Sequence, residues 1–388
     1  MTRRVTIAGG DVNAWMAAAY LAHRLEALDV AICVAGEDAP PDESEGMGSP
    51  ALPGFNAALG IDMASFVRET GAVPYLGMRY DGWGVRPWFR PCGGFGADLD
   101  GIAFHHHWLR LLDLGGSDDL GRFSPEALAA REGLFGGAPG RPLSFGFAFD
   151  AAKYRALLQN VALAAGVRRA AVADDADLVI DCGGAAGEGD VEDWSPWLAG
   201  HGAAQAEASS PLFASVRPAA GAALRPGCRR DMWRGRTVAL GRAACMAEPL
   251  VVPLDLTIQA LERLTALWPR QAIVPAAVER FNAGMAAMHR DVRDFTIAHY
   301  VLSGRQTDMP DSLADRLEVF RACGDIDAPH IGPVRQADWL ALFTGFGLRP
   351  RFVHPAAERM PEDELKRRLA RVRTQIQDAV NALPEFAG

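Results

Sequence analysis

The apolar positions along the chain fall into two regimes, short buried-strand runs first and long helical stripes later. Val5, Ile7 and Ala8 open a β-type run that Gly9 and Gly10 break, and an Ala-rich stretch of strong helix propensity follows from Ala14 to Tyr20. Asp29 to Ala35 predicts the next strand, so the opening segment reads as a βαβ unit. Buried strands are also predicted over Ala176 to Gly184 and Thr237 to Gly241, and a further strand over Val73 to Tyr80, where Pro74 favours an edge or a strand start. Helical spacing marks residues 55–70, 150–165, Leu254 to Leu267, Ala276 to Leu302, Ala314 to Ala322, Gln336 to Leu342 and Glu362 to Leu383. In the last of these Leu365, Leu369, Val372, Ile376, Val380 and Leu383 share one face. Residues 39–54 read as loop, 185–225 are weakly patterned, and Trp83 to Trp108 is an aromatic-rich, irregular stretch.

This order predicts an α/β fold: a Rossmann-like βαβ domain over residues 1–250 and a mainly helical domain over 251–388. Segments at about 73–148 and 185–235 read as insertions into the first domain.

Composition narrows the classes. With 49% hydrophobic and 22% charged residues the chain is an ordinary globular protein, and its net charge of −9 argues against a nucleic-acid partner. No leader pattern opens it and no apolar run reaches bilayer length, which predicts a cytoplasmic location away from membranes. Six cysteines (33, 92, 182, 228, 245 and 323) are scattered without a C-x-x-C, so free buried thiols are expected. Three consecutive histidines, His105 to His107, invite a metal reading. Neighbouring side chains diverge, however, so at most two could meet one ion, and packing or pocket lining is the expectation, with no metal.

The glycine turn carries the first chemistry. In a dinucleotide-binding turn, glycines make the tight bend, admit the pyrophosphate and let helix pack on strand. Those positions here are Gly9, Asp11 and Ala14. A carboxylate at 11 facing a phosphate about 4 Å away costs roughly 4 kcal/mol at an effective dielectric near 20. Such a cost weakens binding about a thousandfold. The acid expected to hold a ribose hydroxyl is replaced by Ala35, with Glu37 two residues on as a substitute.

Taken in order, Gly9-Gly10 with Trp15-Met16-Ala17-Ala18, Leu76-Gly77-Met78-Arg79-Tyr80 with Trp83, Phe149-Asp150 and Asp177 to Gly183 resemble the flavin-dependent tryptophan halogenases. The later half is more specific: Val238-Ala239-Leu240-Gly241, Glu248-Pro249-Leu250, Phe281-Asn282, Arg293-Asp294-Phe295 with His299-Tyr300, and Trp339 with Gly345, Gly347 and Pro350. The resemblance implies an FAD-binding domain of flavin monooxygenase type joined to a helical substrate domain. It also implies Gly9, Gly10, Asp11, Ala14, Ala35 and Gly241 as the flavin-contact positions, a small aromatic substrate and a flavin reductase as supplier of reduced cofactor. Members of the family hold reduced FAD, form hypohalous acid from a flavin hydroperoxide and halide, and pass it through a tunnel to a lysine beside the substrate.

The departures fall on that chemistry. The family lysine position is Tyr75, the glutamate after Glu-Pro-Leu is Val251, and Val252-Pro253 replaces the Ser-Thr near the halide. The stretch from Gly166 to Thr237 reads as too short for the family's extra strands. Two functions therefore stay open. One is a flavin monooxygenase that no longer halogenates, with Tyr75 orienting an indole or phenol and Glu248, Asp255 or His299 as candidate acid or base; each of these also has a structural reading as a cap or packing residue. The other is a flavin-free relative that serves as a binding or partner subunit.

Overall fold

The computed structural model describes residues 4–38, 46–117, 119–136, 142–170, 176–184, 190–198, 204–208, 212–219, 226–330 and 332–386. Much of the expected loop at 39–54 and much of 185–225 lie outside them. By contacts the chain forms two compact units: Met1–Val73, Phe147–Ala203 and Ala220–Thr296 make the first, and Pro74–Gly146, Ala204–Ala219 and Ile297–Gly388 the second. This partition groups residues 251–296 with the nucleotide-type sheet and 74–146 with the C-terminal helices, and so differs from a cut after residue 250.

The first unit is built on a six-stranded sheet in the order Trp233–Arg234, Thr237–Ala239, Leu178–Asp181, Arg4–Ala8, Ala31–Ala35, Arg168–Ala170. All neighbours run parallel except the first pair. Parallel strands covered on both faces need continuous apolar sequence. Val5, Ile7, Ile32, Val34, Leu178, Ile180 and Val238 supply it, and all are buried. The opening helix, Val12–Arg24, is buried from Val12 through Leu21. Its alanines let it lie close against the helix Ala151–Ala164, which is its most extensive neighbour.

Between Gly166 and Thr237 the structure places strands at Arg168–Ala170, Leu178–Asp181, Val191–Asp193, Gln205–Ala208, Leu212–Arg217, Gly227–Arg229 and Trp233–Arg234. The expectation that this stretch is too short for additional strands is therefore corrected. Each strand is brief and set in Ala, Gly and Pro-rich sequence, which leaves no readable alternation.

In the second unit Gln205–Ala208, Leu212–Arg217, Val73–Tyr80 and Trp88–Pro91 pair in that order. Around them lie helices Phe104–Asp113, Pro125–Glu132, Asp311–Cys323, Gln336–Gly345, Pro355–Arg359 and Glu362–Asn381. The stretch Trp83 to Trp108 is more ordered than its composition suggests: it holds the strand Trp88–Pro91 and the start of helix Phe104–Asp113, where the Asp98 carboxylate accepts from Phe104 N–H at 3.2 Å. Among the described residues no helix is long and apolar enough to cross a membrane.

Candidate functional site

In the first unit the strand Arg4–Ala8 delivers the chain into a turn that only glycine fits. Gly9 has φ +127°, its N–H donates to Ala35 O at 2.9 Å, and a Cβ there would lie 3.0 Å from Gly183 N. A Cβ on Gly10 would stand 2.1 Å from Glu37 O, so the backbone after Ala35 closes over this glycine. Gly241 has φ +56°, and a Cβ would strike the Asn13 side chain at 2.6 Å. Ala14 is fully buried in helix packing, which is why a methyl is tolerated.

The Asp11 carboxylate does not project outward as a bare charge. It caps its own helix, accepting from Ala14 N–H at 2.8 Å and from Asn13 Nδ2 at 3.3 Å. Asn13 Oδ1 in turn accepts from the Thr257 hydroxyl at 2.6 Å. Burial pushes the Asp11 pKa up, against the pull of the Ala14 N–H, the Asn13 amide and the nearby Arg242 guanidinium. The thousandfold penalty expected from direct charge repulsion is thereby reduced, but the cap still occupies the helix end where an anion would bind. Glu37 is exposed, and Asp38 beside it pairs with Arg169. Asn13, Thr257, Arg242 and the Arg229–Asp181 pair (3.3 Å) were missed in the sequence, since their partners lie far along the chain.

Also in this unit, Glu248 is buried and its carbonyl closes a turn by accepting from Val251 N–H at 3.3 Å. Val251 is fully buried. Asp255 lies in the first turn of helix Pro253–Ala266, whose N-cap is Val252, and accepts a hydrogen bond from the Ser49 hydroxyl. Asp255 is thus tied to Ser49 and does not serve as the helix cap.

In the second unit Tyr75 is 3% exposed on its strand. Leu212 pairs with Tyr75 while Ala214 pairs with Met78, so the strand carrying Tyr75 gains one residue on its partner, and such a bulge re-aims neighbouring side chains. Tyr75 lies within electrostatic reach of Arg90, as does Tyr80, whose ring Arg90 covers at 5.8 Å. Arg90 is buried, and its charge is countered by Asp338. Asp338 accepts from Arg335 N–H at 2.7 Å and from Arg335 Nη2 at 2.9 Å. Although burial opposes ionisation, the Arg335 and Arg90 guanidiniums hold the Asp338 carboxyl below the usual range.

His299 sits at zero exposure among Tyr80 (5.0 Å between ring centroids), Trp83 (5.4 Å), Trp88 (5.7 Å) and Phe346 (6.4 Å). His105, His106 and His107 diverge as helix geometry requires: His105 meets Gly324 O at 3.0 Å, His106 Nδ1 accepts from His354 N–H at 3.3 Å and His107 meets Leu99 O at 3.3 Å. Among the described residues no group of three or more His, Cys, Asp or Glu is placed to hold a metal.

Burial lowers the pKa values of His105, His106 and, in the first unit, His289 to about 4, with His105 and His354 adding to the effect at His106. All three are held neutral in the fold and titrate near 6.5 when unfolded. Their contribution to stability is full above about pH 6.5 and is lost as pH falls toward 4, up to about 3 kcal/mol each. The urea midpoint should drop markedly between about pH 7.5 and about pH 5, and His289→Phe should flatten the slope. A pH-independent midpoint would contradict this.

A parallel sheet whose first strand enters a glycine turn and a helix N-terminus defines a dinucleotide-binding type of fold. The chain belongs to the tryptophan halogenase family, whose family model matches residues 4–209 and 201–362. It is 28% identical over 188 residues to tryptophan 7-halogenase KtzQ of Kutzneria sp. (strain 744), a stretch covering 41% of this chain and 35% of that protein. It is 27% identical over 165 residues to tryptophan 7-halogenase RebH of Lentzea aerocolonigenes, covering 36% and 31%. The matched stretches thus span about a third of these relatives' lengths. Among solved structures it is similar to Xcc4156, a flavin-dependent halogenase from Xanthomonas campestris, with a TM-score of 0.85, 25% identity and coverage of 99% and 97%. BrvH, a flavin-dependent halogenase from Brevundimonas sp. BAL3, aligns at a TM-score of 0.82 with 26% identity and coverage of 99% and 98%.

Proposed function

We propose that the protein is a flavin-dependent oxidoreductase of monooxygenase type that acts on a small indole- or phenol-like aromatic without halogenating it. The observation that carries this reading is the pairing of a glycine turn with a buried phenol where the resemblance places an amine: Gly9 and Gly241 have positive φ values, while Tyr75 is buried within electrostatic reach of the Arg90 guanidinium. FAD, when bound, supplies the activation of dioxygen, and a flavin reductase is its source of electrons. Gly9, Gly10 and the N-terminus of helix Val12–Arg24 would hold the pyrophosphate, with Gly241 keeping the adjacent backbone close. A tyrosine hydroxyl both donates and accepts, so Tyr75 can orient an indole N–H or a phenol O–H without delivering halogen. Asp255, tied to Ser49, and His299, enclosed by rings, read as structural, and Glu248 is kept as the acid–base candidate.

A second reading, a flavin-free partner subunit, draws support from Asp11 capping its own helix and from Glu37 O closing over Gly10. Thermal unfolding with a panel of indoles and phenols, with and without FAD, separates the two. The oxidoreductase reading expects a rise in Tm with at least one aromatic and a smaller rise for Tyr75→Ala. No shift with any aromatic under either condition would favour the partner subunit.

A further inference from the structure

We propose that Cys228 and Cys245 form a redox-active thiol pair, a modification site at which hydrogen peroxide introduces a reversible cross-strand disulfide. Both lie in the first unit, on neighbouring strands of a three-stranded antiparallel sheet in the order Cys245–Met246, Gly227–Arg229, Val191–Asp193. All six cysteines are free thiols in this structure. The site is independent of the flavin reading, since neither the Gly9 turn nor Tyr75 takes part in it.

Cys228 and Cys245 are direct partners across the two strands, so their side chains leave the sheet on the same face. Antiparallel partners are of two kinds, and the bond from Arg229 N–H to Ala244 O at 2.8 Å shows which kind this is. It joins the residue after Cys228 to the residue before Cys245, and so brackets a non-hydrogen-bonded pair. Such a pair sets its Cα atoms about 4.5 Å apart with the side chains at their closest, and a disulfide spans Cα separations of about 4.4–6.8 Å. Rotation of the two side chains therefore closes the bond without moving either strand. The two thiols also lie within electrostatic reach of one another.

Two thiols and one peroxide give one disulfide and two waters. One sulfur attacks a peroxide oxygen, the O–O bond breaks, and a sulfenic acid forms with release of the first water. The other sulfur then attacks the sulfenic sulfur and displaces its oxygen as the second water, so the pair gives up two electrons and two protons. Burial pushes the Cys228 thiol up to about 12 and the Cys245 thiol well above its ordinary value; Glu192 adds to both, while Arg293 and Arg230 pull Cys228 the other way. Both thiols stay protonated at neutral pH, and peroxide reaches them when the short edge strand Cys245–Met246 opens. The pair thus records sustained rather than brief oxidation. Between the two cysteines, Arg229 donates to Ala243 O at 2.7 Å and pairs with Asp181 at 3.3 Å, so the new bond pins the segment that follows the Gly241 turn.

Incubation of the native full-length protein with hydrogen peroxide tests this, followed by removal of the oxidant, alkylation in denaturant and mass spectrometry of the non-reduced digest. The expected product is a linked Cys228–Cys245 peptide, two hydrogens lighter than its parts, which dithiothreitol reverses and which both Cys228→Ser and Cys245→Ser lack. The oxidised protein should unfold at least about 5 °C above the reduced form, because the bond closes the intervening loop. Cys245→Ser under the same peroxide should show no such rise. Both cysteines left open to alkylation, oxidation of either to sulfinic acid without linkage, a link to a different cysteine, or a linked protein that unfolds no higher than the reduced form would overturn the proposal.

Discussion

Free tryptophan is expected to stay unbrominated when the protein is supplied with FAD, a flavin reductase, NADH and bromide. In the family that this chain belongs to, the resemblance assigns an amine to the position of Tyr75 and a carboxylate to that of Val251. Both positions are closed to substitutes from solvent, with Tyr75 3% exposed and Val251 fully buried. A phenol cannot carry or activate electrophilic halogen as an amine does, and an isopropyl group cannot take a proton. A positioned acid–base group contributes about 10²–10⁴ in rate, and losing two such groups puts turnover below detection. Mass spectrometry of the indole products checks this, and turnover comparable with that of family halogenases would contradict it.

The largest expected stability effect is at Asp338. Its carboxylate is buried between two guanidiniums, Arg335 and Arg90, and Arg335 also donates to Cys92 O at 2.7 Å and to Pro91 O at 3.3 Å. The carboxylate thus fixes the arginine that ties the start of helix Gln336–Gly345 to the strand Trp88–Pro91. Asp338→Ala removes the negative charge that Asp338 sets beside both cations, and removing one partner of a buried ion pair costs about 3–5 kcal/mol. Glu362→Ala breaks the exposed pair with Lys366 and should leave stability almost unchanged. Chemical denaturation of the two variants beside the parent measures the difference. Equal small losses would show that Arg90 and Arg335 find other partners.

Much of the fold was legible because it rests on local periodicity. The buried runs around Val5, Ile180 and Val238 and the apolar face of helix Glu362–Asn381 can be read residue by residue. The site was legible only in part. Gly9 and Gly241 announce a turn through residue type, but whether Asp11 faces a phosphate or its own helix depends on Ala14 N–H and Asn13, which the spacing alone does not decide. The bulge beside Tyr75 depends on a pairing with Leu212, and the Arg90–Asp338 charge pair joins residues that only the fold brings together.

On this reading the glycine turn still accepts FAD, against a cap that competes for the same helix end. Equilibrium titration of FAD by fluorescence, with the wild type beside Asp11→Gly, tests it most directly. Glycine costs only a few tenths of a kcal/mol as a replacement cap, so the variant should stay folded. The wild type is expected to bind measurably, and binding should tighten about tenfold or more in Asp11→Gly, since removing the carboxylate frees the helix end and relieves the charge. No binding by either protein up to about 1 mM FAD would contradict it.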